Sequence, residues 1–124
     1  MKTDKRSKRI NKNIGYCLSY YRVINTVSRV KFGEIVGVSQ QQIAKYEDGT
    51  NAIPIAKLLM ACSALNITVD EILEKAQQDV DLQEVNKDRP GNRYLSHLID
   101  NYCKIKSKKV RRSIFNLIKD FSNE

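Results

Sequence analysis

The stretch of the chain that most restricts its fold is residues 29–48, RVKFGEIVGVSQQQIAKYED. Apolar side chains recur there at helical spacing, and the candidates for a shared core are Phe32, Val36, Val38, Ile43 and Tyr46. Gly37 tolerates the positive φ that a tight turn between two helices needs, and Gly33 is small where crossing helices approach closely. Ser39 is a good N-cap for the second helix. The segment therefore predicts two short helices joined by a tight turn.

Apolar residues recur at helical spacing through residues 10–76, and strand-like alternation is missing. Pro54 suits the first turn of a further helix, because its missing N–H would be unpaired there anyway. Thr68 and Glu71 have the spacing of a capping box for the helix after that one. Five short helices in close succession predict a compact all-α bundle.

These residues resemble a known family. IGYCLSYYR resembles the first helix of the Cro/C1-type (Xre) helix-turn-helix family of phage repressors and bacterial regulators. GVSQQQIAKYEDGTNAIP resembles the family's turn, recognition helix and following loop, and ALNITVDEIL resembles its fifth helix. The resemblance covers residues 10–76, slightly more than half of the chain. It implies a five-helix phage-repressor-like bundle whose third helix enters the major groove of double-stranded DNA, usually as a dimer on a pseudo-palindromic operator.

By position, the resemblance implies that the DNA-binding residues are Arg29, Ser39, Gln40, Gln41, Gln42, Lys45, Thr50 and Asn51. Glutamine can bond bidentately to adenine and lysine can donate to guanine acceptors, so the residues of the third helix suit base contacts. Arg29 replaces a glutamine common in the family and is expected to reach a phosphate at a helix N-terminus. Thr50 and Asn51 match loop contacts to the DNA backbone. Without the surrounding pattern, three consecutive glutamines would indicate only a polar helix face.

Arg22 and Glu47 stand at positions that commonly pair inside the family fold. We therefore interpret them as a structural ion pair that braces the first helix against the recognition helix. The alternative interpretation is two ordinary surface charges.

The pattern changes beyond the bundle. Residues 77–93 are polar and contain Pro90-Gly91, which predicts a linker. Two helices with narrow apolar seams follow in residues 94–124, and the seam residues are Leu95, Leu98, Tyr102, Ile105, Val110, Ile114, Leu117 and Phe121. Because two such helices cannot bury both seams alone, we expect this two-helix extension to form a dimer interface. Packing on residues 10–76 is the alternative.

The 124-residue chain has a formal charge of +8, with basic clusters in an N-terminal arm, residues 1–9, and in residues 104–112. Two basic ends favour a polyanionic partner such as nucleic acid. Three widely spaced cysteines and a single histidine predict no metal site, and no cofactor is expected. No catalytic arrangement, small-molecule site, membrane span or signal region is legible. We therefore expect a non-enzymatic cytoplasmic protein.

The sequence thus predicts a sequence-specific transcription regulator that acts as a homodimer, with repression the commonest outcome for such a domain. One alternative is an antitoxin, which uses this fold to bind both its own promoter and a toxin. Another is a partner-binding adaptor in which the C-terminal helices matter most. Non-specific nucleic-acid binding is a further alternative, which competition with random DNA would expose.

Overall fold

A computed structural model describes residues 4–86 and 92–122, with the side chains of the second range described from Ser96 onward. The helices within these ranges are α1 Lys5–Ile24, α2 Arg29–Val36, α3 Gln40–Asp48, α4 Ile55–Ala64, α5 Val69–Ala76, α6 Leu82–Val85, α7 Asn92–Lys104 and α8 Lys108–Ser122. The described residues contain no strand. The prediction of an all-α fold is therefore confirmed.

The hydrophobic core lies among α1 to α5. Its buried members are Cys17, Leu18, Phe32, Val36, Ile43, Tyr46, Leu58, Ala61, Cys62, Leu65 and Ile72. Each helix buries one stripe and exposes the opposite face, as a period of 3.6 residues requires. In helix α4 the apolar residues Ile55 and Leu59 point away from the core and are 66% and 54% exposed. Leu58, Ala61 and Cys62 face the core from the same helix.

Helix α1 approaches α3 closely at Gly15, which is buried in the middle of α1. A Cβ at this position would overlap the carbonyl oxygen of Tyr46 and would lie 2.6 Å from that of Glu47. Glycine inside a helix costs roughly 1 kcal/mol relative to alanine. The close contact explains why glycine is used here, and it brings α1 within reach of the end of α3.

Hydroxyl side chains cap several of the helices, and the caps at Ser39 and Thr68 are those that the sequence predicts. Ser39, Thr68 and Ser107 each accept a hydrogen bond from the backbone N–H three residues later, at 3.1–3.2 Å. Pro54 directly precedes α4, with a φ of −61°, and does not lie in its first turn. These caps satisfy N–H groups that have no partner inside the helix, and they fix where α3, α5 and α8 begin.

The segment that follows α5 lies against α1. Asn13 is fully buried and donates to the carbonyl oxygens of Ala76 and Val80 at 3.2 and 2.8 Å. Its own side-chain oxygen accepts a hydrogen bond from the N–H of Leu82 at 2.9 Å. One buried amide on α1 therefore holds both the end of α5 and the start of α6.

Two boundaries of the predicted organisation differ from the structure. The proposed linker, residues 77–93, is held against α1 at its beginning, contains α6, and gives way to α7 at Asn92; Pro90-Gly91 lies outside the described residues. In the proposed basic arm, residues 1–9, the chain is helical from Lys5, which is the first residue of α1. Arg9 and Lys12 of this helix form salt bridges with Asp79 and Asp81. These contacts join the start of α1 to residues far away in sequence, which the local pattern does not reveal.

The two C-terminal helices contact the bundle unequally. Helix α7 packs on α1 and buries Ser96, whereas α8 has no buried side chain among its residues 108–122. Of the expected seam residues, Tyr102, Ile105 and Ile114 are half-buried. The exposed ones are Leu98, Val110, Leu117 and Phe121, and Leu95 lies outside the described side chains. The extension thus packs on the bundle through α7 and leaves much of its apolar surface in solvent.

Candidate nucleic-acid interface

Helices α2 and α3 are joined by a tight turn at Gly37, which adopts a φ of +83°. The N–H groups of Gly37 and Val38 both donate to the carbonyl oxygen of Gly33, at 2.7 and 2.9 Å. A Cβ on Gly33 would lie 2.5 Å from the carbonyl oxygen of Val38, so a side chain there would force the two helices apart. The turn therefore fixes the start of α3 relative to α2.

The outer face of α3 carries the residues expected to contact bases. Ile43, Tyr46 and Glu47 are buried on the inner face of α3. Of the residues expected to contact bases, Ser39, Gln40, Gln41 and Lys45 are exposed and Gln42 is half-buried; Asp48, at the end of the same helix, is exposed as well. The amide side chains offer both donors and acceptors and Lys45 offers donors, which is the chemistry that reads base edges in a major groove.

The loop after α3 holds the next two expected contacts. Gly49 ends the helix with a φ of +79°. The N–H of Thr50 donates to the Asp48 carboxylate at 2.8 Å, and that of Asn51 donates to the carbonyl oxygen of Lys45 at 3.3 Å. These bonds fix the loop backbone while the side chains of Thr50 and Asn51 stay exposed.

Beneath this surface, Arg22 and Glu47 form a buried salt bridge. Arg22 Nε donates to Glu47 Oε2 at 2.6 Å and Nη2 donates to Oε1 at 3.1 Å. Arg22 is 0% exposed and also donates to the carbonyl oxygen of Val27 at 2.8 Å. The bidentate pair connects α1 to the last turn of α3, so it holds the inner face of the helix whose outer face carries the exposed glutamines.

Arg29 at the start of α2 faces this network. Its Nε donates to Glu47 at 3.2 Å, and its Nη1 donates to Asp100 of α7 at 3.1 Å. The side chain is 22% exposed. The guanidinium that was expected to reach a DNA phosphate is therefore engaged by two carboxylates of its own chain.

A helix-turn-helix family model matches residues 18–72, from the middle of α1 into α5. The match contains the tight turn, the exposed face of α3 and the loop that follows it. Residues 18–72 form a Cro/C1-type helix-turn-helix domain. This confirms the family expected from the recognition-helix stretch.

Several relatives resemble this chain along most of its length. Uncharacterized HTH-type transcriptional regulators from Rickettsia prowazekii and Sinorhizobium medicae are each 29% identical to it. The first match covers 90% of this chain and 85% of the relative, and the second covers 97% and 94%. The similarity therefore extends beyond residues 18–72 into the C-terminal helices. No solved structure matches the chain.

Two of the cysteines, Cys17 and Cys62, belong to the hydrophobic core. Burial raises the pKa of the Cys17 and Cys62 thiols, which disfavours the reactive thiolate. Cys103 on α7 is exposed. Within the two described ranges, no group of three or more His, Cys, Asp or Glu side chains could hold a metal ion. The same ranges contain no helix of the length and hydropathy that a membrane span needs.

Sequence reasoning missed the residues that attach α7 to the helix-turn-helix domain. Ser96 is 1% exposed and its hydroxyl accepts a hydrogen bond from Arg22 Nη2 at 2.8 Å. Asp100 accepts hydrogen bonds from Arg29, as described above. Ser96 and Asp100 lie four residues apart on α7, so they share one face of that helix. Two short polar residues at this spacing were the sequence signal for a polar contact on that face.

Proposed function

We propose that this chain is a sequence-specific transcription regulator that binds double-stranded DNA as a homodimer and represses by occupying a pseudo-palindromic operator. The observation that carries the proposal is the exposed polar face of α3, which caps, turn and buried ion pair hold in one orientation. A helix fixed in this way can enter the major groove without ordering its backbone on binding.

The proposed contacts divide into two kinds. The exposed residues of α3, with half-buried Gln42 at their edge, read base edges, because amides and lysine match the donors and acceptors displayed in the major groove. Thr50 and Asn51 lie in the ordered loop beside α3 and contact the backbone. Arg29 and the start of α2 bind a phosphate, which positions the domain without reading sequence.

The proposed homodimer rests on the apolar surface of α7 and α8. A groove of about 340 Å³ between these helices includes Leu98, Tyr102, Ile114 and Phe115 in its lining. Ile118 also lines this groove and is 55% exposed, and Leu117 and Phe121, elsewhere on α8, are 56% and 65% exposed. A second copy presents the same two helices, so a two-fold arrangement would cover the groove and the exposed face of α8 together.

Selection of bound sites from a pool of random duplex DNA tests the proposed function. We expect an enriched motif with two-fold symmetry whose half-sites lie about one helical turn apart, roughly 34 Å. Recovery of no motif above the random pool would contradict sequence-specific binding. An enriched motif with a single half-site would contradict binding as a symmetric dimer.

Gln40→Ala and Gln41→Ala are each expected to weaken binding to the selected site by about 1–3 kcal/mol and to relax the preference at one base pair. Both side chains are exposed, so the melting temperature is expected to stay unchanged. Gln78→Ala, which truncates an exposed glutamine outside the proposed interface, is the matched control. Fluorescence anisotropy on the selected duplex and its single-base variants makes the comparison. If the α3 variants behaved like the control, α3 would not read the bases.

A further inference from the structure

The carboxylate of Asp100 occupies the N-terminal end of α2. Its Oδ1 accepts the backbone N–H of Arg29 at 3.1 Å, and its Oδ2 accepts Nη1 of the same residue at 3.1 Å. Ser28 caps α2 by accepting the N–H of Lys31 at 3.1 Å, so Asp100 satisfies a different N–H of the first turn. One carboxylate on α7 thus accepts hydrogen bonds from both the backbone N–H and the guanidinium of Arg29, and that N–H has no partner within α2.

This pair of donors is the chemistry that binds a phosphate. The first N–H groups of a helix have no partner inside it, and the helix dipole favours an anion at that end. A guanidinium beside them adds a charge-assisted donor with planar geometry. Asp100 presents two anionic oxygens to these donors, as a phosphate of the DNA backbone would.

We infer that Asp100 is an intramolecular substitute for a DNA phosphate, and that α7 holds the start of α2 in an autoinhibited state until DNA displaces it. The inference rests on the proposed function, in which Arg29 and the start of α2 contact the backbone. It adds a competitor, supplied by the chain itself, for that same position.

The charges of the network support displacement over simultaneous binding. Arg22 and Arg29 are balanced by Glu47 and Asp100 in the structure. A phosphate in place of Asp100 keeps the cluster balanced, whereas a phosphate added beside Asp100 leaves it short of a cation. Close like charges that share one donor set repel each other, so the two anions exclude one another.

The way in which α7 is attached allows its release. Its described contacts with the network are polar, through Ser96 and Asp100, and the Asp100 side chain is 22% exposed. Its apolar side chains Leu98, Tyr102 and Ile105 line the groove toward α8. The ionic contact between Asp100 and Arg29 is partly exposed on both sides, and such contacts are individually weak and screened by salt, so DNA phosphates can compete with it.

Asp100→Asn in the full chain tests the inference, with Asp120→Asn as the matched control. Both substitutions remove one negative charge, but Asp120 is exposed on α8. Affinity is measured for the selected duplex and for a duplex of scrambled sequence, because a backbone contact is independent of sequence. We expect Asp100→Asn to bind both duplexes about ten-fold more tightly than wild type, if the closed state accounts for roughly nine-tenths of the free protein. Asp120→Asn is expected to change affinity less than about two-fold.

Two further results decide the matter. Arg29→Ala in the Asp100→Asn background is expected to cancel the gain, and amide hydrogen exchange in residues 96–104 of wild type is expected to rise when duplex is added. Equal affinity of Asp100→Asn and Asp120→Asn, or unchanged exchange of α7 in bound wild type, would overturn the inference while leaving the proposed function intact. Failure of wild type to prefer the selected duplex would overturn the proposed function, and the inference with it.

Discussion

Glu47→Ala and Arg22→Ala are each expected to lower the free energy of unfolding by about 3–5 kcal/mol, the range for removing one partner of a buried ion pair. Arg22 is fully buried. Without Glu47, the carboxylate left near its guanidinium is the more distant one of Asp100, which lies 4.0 Å away. The destabilisation by Arg22→Ala is expected at the lower end of this range, because Arg29 still donates to Glu47 at 3.2 Å.

Urea denaturation of both single variants and of the double variant measures this effect. We expect the double variant to be less destabilised than the sum of the singles by more than about 1 kcal/mol, since neither charge is then left without its partner. Glu34→Ala is the control, because Glu34 pairs with Lys31 at 3.8 Å with both side chains about two-thirds exposed. That variant is expected to stay within about 0.5 kcal/mol of wild type. Additive effects of Arg22 and Glu47 would contradict the coupling.

Leu98→Asp and Leu117→Asp are each expected to abolish dimerisation of the full chain. Leu98 is 45% exposed in the groove between α7 and α8, and Leu117 is 56% exposed on α8. A carboxylate buried at a dimer interface without a partner costs several kcal/mol, whereas in the monomer it stays in water. Because a dimer binds two half-sites at once, operator affinity is expected to fall at least about a hundred-fold with the loss of dimerisation.

Light scattering at micromolar concentration and anisotropy on the selected duplex measure the two effects together. Asn116→Asp adds the same charge at an exposed polar position of α8 and is expected to leave both unchanged. Point variants are preferable to a truncated chain that ends at Gln77, because such a truncation also removes Val80 and Leu82, two of the three hydrogen-bond partners of buried Asn13. A monomeric wild type, or variants that still dimerise, would rule out this interface.

The fold was predictable where local chemistry determines it. A glycine with positive φ, a hydroxyl before each helix and apolar residues at helical spacing are sufficient to specify α2, the turn and α3. The pairing of Arg22 with Glu47 came from the family resemblance, and the structure places these residues in a bidentate salt bridge.

The remaining features depend on contacts between residues far apart in sequence. Asn13 forms hydrogen bonds with residues 63 to 69 positions further along the chain. Because this contact is not visible in the local sequence, the polar residues after α5 were predicted to form a linker. Arg29 was expected to be free for a phosphate because its competitor, Asp100, lies 71 positions further along the chain. The close crossing of α1 and α3 was predictable from Gly15, because a glycine in the middle of a helix indicates that another backbone comes close there.

Amide chemical shifts recorded by NMR during titration with the selected duplex test directly whether α3 docks in the DNA major groove. We predict that the largest shift changes fall on residues 39–45 and on Thr50 and Asn51, with a second set at the start of α2. The core residues Leu18 and Ile72 are predicted to change little. Shift changes confined to α8, with the amides of α3 unaffected, would rule out docking through α3.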